Sequence, residues 1–128
     1  MVRFLSVVLS PSIVIAAGCR LESLACTTHI QPGIIVTIMD SITAEPRAAQ
    51  AQGVAQEGSF TDSLRPYGYD GQPLVMVSRH AADERPGTYT VTLRTPGYRD
   101  WQASGLRVSS GECHVQTSST VARLQPAP

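Results

Sequence analysis

Hydrophobic positions follow two regimes along this chain. Phe4 to Ala17 is an apolar run broken only by Ser6, Ser10, Pro11 and Ser12, with Arg3 ahead of it and small residues behind it. A bilayer span needs about 20 apolar residues, so this shorter run fits the apolar region of a secretory signal peptide, removed before folding. Beyond residue 31 the apolar positions recur with period two. In IIVTIM, Ile34, Val36 and Ile38 face one way and Ile35, Thr37 and Met39 the other, which predicts a first strand. In GTYTVTLRTPGY, Tyr89, Val91 and Leu93 alternate with Thr88, Thr90, Thr92 and Arg94, the pattern of a strand with one wet face.

Weaker segments fill in the rest. Asp40-Ser41 to Pro46 supplies turn residues, and Arg47 to Glu57 is ambiguous: its Ala, Gln and Glu favour helix, while Gly53 and the flanking turns favour a weak strand. Ser59 to Leu64 and Leu74 to Ser78 are expected strands on either side of the loop RPYGYDGQP, and His80 to Pro86 is an expected polar connection. After the Pro96-Gly97 turn, Tyr98 to Val108 and Cys113 to Leu124 complete a set of about seven short strands. That spacing predicts an all-β fold, a single antiparallel sandwich spanning residues 32–128.

Composition supports this reading. Nine prolines, ten glycines and a wealth of Thr, Ser and Val suit short strands and turns. Ten basic residues, all arginine, balance ten acidic ones, and no basic stripe forms, which argues against nucleic acid as a partner. At 128 residues one domain is the limit, and a core this small gains from a covalent staple.

The stretch Ala16-Ala17-Gly18-Cys19 resembles the bacterial lipobox, in which small residues precede a cysteine that becomes the acylated N-terminus. Ala in place of the usual Leu at its first position is a departure. The resemblance implies a signal peptide over 1–18, a lipidated terminus and linker over 19–31, and attachment to a membrane of the bacterial envelope, since several acyl chains anchor stably. Arg20, where Asp would favour the inner membrane, leans toward the outer one. If Cys19 carries lipid, the odd count of three cysteines leaves Cys26 and Cys113 as a disulfide pair in an oxidising compartment.

Three motifs together, Pro32-Gly33-Ile34 with Val36 and Asp40, then Gly87-Thr88-Tyr89-Thr90-Val91-Thr92, then Pro96-Gly97-Tyr98, resemble the carboxypeptidase regulatory-like domain, a transthyretin-like Greek-key sandwich. The likeness covers residues 32–124 and is weakest over 47–64. It implies an accessory module without catalytic residues or cofactors, serving a structural role or binding an envelope protein or polysaccharide.

The candidate chemistry is sparse. Tyr67, Tyr69 and Trp101 are the candidate binding surface, as aromatic platforms for sugars or peptides. Cys26-x-x-His29 with Cys113-His114 contains the ligand types of a zinc site, but neighbours on a strand point to opposite faces and a disulfide is the expected use of the thiols. His80-Ala-Ala-Asp83-Glu84 has the wrong spacing for a carboxypeptidase metal motif, and neither H-E-x-x-H nor G-x-S-x-G occurs. No enzymatic activity and no resident metal are therefore expected. The alternative is an envelope enzyme or metal-binding protein using His29, His80 with Asp83, or the Cys26/Cys113 thiols. The arginines, Arg47, Arg65, Arg79, Arg85, Arg94, Arg99, Arg107 and Arg123 among them, are read as a solvated surface.

Overall fold

A computed structural model describes residues 24–68 and 77–128. The signal-peptide expectation, Cys19, Tyr69 and the greater part of the expected strand Leu74 to Ser78 lie outside the described residues.

The chain is all-β. Among the described residues the strands are β1 (Ile34–Asp40), β2 (Gln52–Glu57), β3 (Phe60–Ser63), β4 (Arg65–Pro66), β5 (Ser78–Ala81), β6 (Gly87–Arg94), β7 (Trp101–Ser110), β8 (Val115–Gln116) and β9 (Ser118–Leu124). They form two sheets, one ordered β4-β5-β1-β9 and the other β3-β2-β6-β7-β8. The period-two reading of β1 and β6 holds residue by residue. Ile34, Val36, Ile38, Tyr89, Val91 and Leu93 are each at most 1% exposed, while the residues between them are half-buried and Thr88 and Arg94 are exposed.

These side chains belong to one core shared by the two sheets. Ala81, Ala122 and Leu124 join it from the first, Ala55 and Val108 from the second. Full burial of each large aliphatic or aromatic residue contributes roughly 1.5–3 kcal/mol. Tyr89 keeps its hydroxyl satisfied at the rim, donating to the Arg85 carbonyl at 3.0 Å and accepting from Arg85 Nη1 at 3.0 Å.

The expectation of a purely antiparallel arrangement fails at one pair. β1 and β9 run parallel, in register from Ile34 opposite Ser118 to Asp40 opposite Leu124. A parallel pair needs a long connection, and here nearly the whole domain supplies it, which no local sequence feature announces. Residues 47–57 divide between both of their expected states: Ala48–Gln50 is a 3-10 turn and β2 follows directly. His80 lies in β5 rather than in a polar connection. Ser78 is accommodated there because its hydroxyl lies 3.2 Å from that of Thr37. The last expected strand is interrupted: residues 111–114 form a turn closed by the Gly111 N–H donating to the His114 carbonyl at 2.9 Å.

Two glycines carry specific duties. Gly105, at φ 72°, sits where the β6–β7 register shifts, so a bulge in β7 takes up an extra residue. Gly33, just ahead of β1, leaves no room for a side chain, because a Cβ would overlap the Ala82 carbonyl.

Candidate functional site

Sulfur chemistry comes first. Cys26 and Cys113 form a disulfide with a Cα–Cα distance of 5.2 Å, tying the segment that precedes β1 to the turn between β7 and β8. Both thiols that a Cys₂His₂ metal centre would need are consumed, which corrects that alternative. His114 is also occupied: its Nδ1 lies 2.6 Å from Glu84 Oε1 and its Nε2 3.0 Å from Thr27 Oγ1. His29 stands edge-on to it, with ring centroids 6.2 Å apart. Cys113 and His114 lie in the turn, not on a strand as the alternation argument assumed. Glu84 accepts from the Gln31 N–H at 2.7 Å and the Val115 N–H at 3.3 Å, and its own N–H donates to the Gln31 carbonyl at 3.0 Å. The Gln31 N–H, with His114 and Val115, holds the Glu84 carboxyl below its ordinary range. This polar lattice locks the N-terminal segment beside the disulfide.

His80 and Asp83 do meet, with Nδ1 3.0 Å from Oδ1. The other Asp83 oxygen accepts from Arg65 Nη2 at 3.0 Å, and Arg65 Nη1 donates to Asp62 at 2.7 Å. Asp62 in turn accepts from the Ala82 N–H at 2.8 Å. Both carboxylates are engaged on both oxygens, so the cluster ties β3 of one sheet to β4 and β5 of the other. His29 is not brought to it.

A third cluster joins the end of β1 to the turn after β6. Tyr98 Oη donates to Asp40 Oδ2 at 2.6 Å and accepts from Arg47 Nε at 2.7 Å. Asp40 Oδ1 takes the N–H groups of Ile42 and Thr43 at 2.7 and 2.9 Å. The Tyr98 bond first, then the two backbone bonds, lower the Asp40 pKa to about 2. Four of the arginines read as solvated surface are therefore tie-bars: Arg47 and Arg65 in these networks, Arg85 bonded to Glu57 at 2.8 Å, and Arg79 bonded to two carbonyls.

Two of the three candidate aromatics, Tyr67 and Trp101, lie on different sheets. Tyr67 packs against His80, with ring centroids 5.8 Å apart, beside the four-stranded sheet. Trp101 packs half-buried against the core from β7 of the other sheet.

A concavity among the described residues lies elsewhere. A groove of about 800 Å³ opens where the 3-10 turn runs into β2, with Ala49 to Val54 on one side and Ser63, Leu64, Arg79, Thr92 and Arg94 completing it. Gly53 in the lining is required by packing, since a Cβ there would overlap the Thr92 carbonyl and crowd the Leu93 and Leu64 side chains. Arg79 is held in place by donating from Nε to the Ala48 carbonyl at 2.8 Å and from Nη2 to the Ala49 carbonyl at 3.2 Å. Nothing in the sequence pointed to this groove, because its residues come from five separate segments and share no spacing.

No family model matches the chain, and no curated protein matches it at a significant level. The carboxypeptidase regulatory-like and lipobox resemblances therefore stand on the quoted residues.

Proposed function

We propose that this chain is a lipid-anchored protein of the bacterial cell envelope, whose single domain is a non-catalytic structural or binding module built on the Greek-key, transthyretin-like plan. The observation that carries the reading is the Cys26–Cys113 disulfide. It uses two of the three cysteines and belongs to an oxidising compartment, leaving Cys19 alone at the end of the apolar leader and its small residues. Acylation at Cys19 accounts for that remaining thiol. Arg20 after it favours the outer membrane.

Support for the sandwich plan comes from where the resembling motifs fall. Pro32-Gly33-Ile34 leads into β1, Gly87 to Thr92 lies within β6, and Pro96-Gly97-Tyr98 forms the turn after β6, closed by the Tyr98 N–H donating to the Thr95 carbonyl at 3.1 Å. The catalytic alternative draws less support. His80 and Asp83 are together, but the second Asp83 oxygen is held by Arg65, and His29 lies beside His114 instead.

Fractionation tests the proposal. The wild-type protein is expected in the membrane fraction with acyl mass on Cys19, and Cys19→Ser is expected in the soluble fraction with its disulfide intact. A Cys19→Ser protein that stays with membranes overturns the anchor.

A further inference from the structure

We propose that the groove between the 3-10 turn and β2 binds carboxylates of an acidic, hydroxyl-rich sugar chain. The inference rests on the reading of the domain as a binding module, and it depends on neither lipid nor membrane. Four observations lead to it. The groove's volume of about 800 Å³ falls within the range of small-ligand sites, roughly 300–1,000 Å³, and it is open along its length. Its lining includes two arginines and no carboxylate.

The two arginines differ in a way that suits ligand capture. Arg79 is fixed by neutral carbonyl partners, so its charge is uncompensated among the described residues and its guanidinium is already oriented. With Nε and Nη2 donating to those carbonyls, the Nη1 end of the guanidinium is the part left to donate to a ligand carboxylate. Arg94 is 81% exposed and pairs, among the described residues, with Asp100 at 3.3 Å, itself 62% exposed. Such an exposed pair contributes little, so a ligand carboxylate can take the place of Asp100.

The remaining lining suits hydroxyls. Gln50, Gln52, Ser63 and Thr92 offer amide and hydroxyl groups along the walls. A recess of about 340 Å³ continues from the groove past Gln50, Gln52 and Arg94 to Thr95, Pro96 and Asp100.

Calorimetric titration of the full chain, disulfide formed, with oligogalacturonate tests the proposal, against a neutral oligosaccharide of equal length, an acidic peptide and inorganic phosphate. Binding of oligogalacturonate that weakens with salt, with none to the neutral sugar, is expected. Arg94→Gln should weaken it about tenfold, the loss of one charge-assisted contact. Asp100→Asn should strengthen it, because the competitor for Arg94 is gone. Both changes are at exposed positions, so folding is unaffected. Equal binding of the neutral sugar, tighter binding of the peptide or of phosphate, or no gain from Asp100→Asn overturns the assignment. Each of these results leaves the membrane-fractionation result untouched, so failure here and failure of the anchor are told apart.

Discussion

Removing the disulfide should cost this domain a large share of its stability. Cys26 and Cys113 are 87 positions apart, so the bridge closes a loop spanning almost all of the folded chain. In the chain-entropy model a loop of that length loses about 15 cal/mol/K in the unfolded state, or about 4.6 kcal/mol at 25 °C. The folded side of the comparison changes little, because other contacts already bring the same segments together. Gln31 Nε2 donates to Thr117 Oγ1 at 2.6 Å, Thr117 Oγ1 donates to the Pro32 carbonyl at 2.7 Å, and the Ser118 N–H donates to the Gly33 carbonyl at 2.8 Å. The loss therefore arises mainly from the freed unfolded chain. Set against total stabilities of about 5–15 kcal/mol for folded domains, it is decisive. Urea unfolding of wild type, Cys26→Ser, Cys113→Ser and the double variant measures it. Each single variant should lose about 4–5 kcal/mol, with the double variant no worse than either. Additive losses, or losses under about 1 kcal/mol, would refute the reasoning.

Further expectations concern the fold's other supports. Because the Asp40 pKa is lowered to about 2 in the folded state, its contribution is complete above its unfolded value and is lost as pH falls toward 2. Tyr98→Phe removes the largest cause of that shift, so it should lower stability at neutral pH and flatten the loss between pH 4 and 2, as followed by acid titration of tryptophan fluorescence. Gly33→Ala should destabilise by about 1–3 kcal/mol or more, since the new methyl meets the backbone of Ala82 rather than a movable side chain, and thermal melting reads the effect. Ile38→Ala, at a fully buried core position, should cost about 2–5 kcal/mol by urea unfolding.

The sequence was most legible where burial alternates within one strand. The buried positions of β1 and β6 follow from the spacing of Ile34, Val36 and Ile38 and of Tyr89, Val91 and Leu93, because a wet face and a dry face leave a period-two record. β5 left none: Ser78 pairs with Thr37 across the sheet and Arg79 reaches carbonyls of the 3-10 turn, so its polar residues are satisfied by distant partners. The parallel β1–β9 pair joins segments 84 residues apart, beyond any local pattern. With Cys19 set aside by the lipobox resemblance, Cys26 and Cys113 were the pair left to bond in an oxidising compartment, and they are bonded. The polar clusters were hidden for the opposite reason. Asp40, Arg47 and Tyr98 are ordinary turn residues until the fold brings them within hydrogen-bonding distance.

The most direct test of the envelope account is the intact mass of the protein taken from native membranes, measured without and then with reductant. The account predicts a chain beginning at Cys19 that carries acyl mass and gains two hydrogens on reduction. An unacylated chain retaining residues 1–18, or one that gains nothing on reduction, would contradict it.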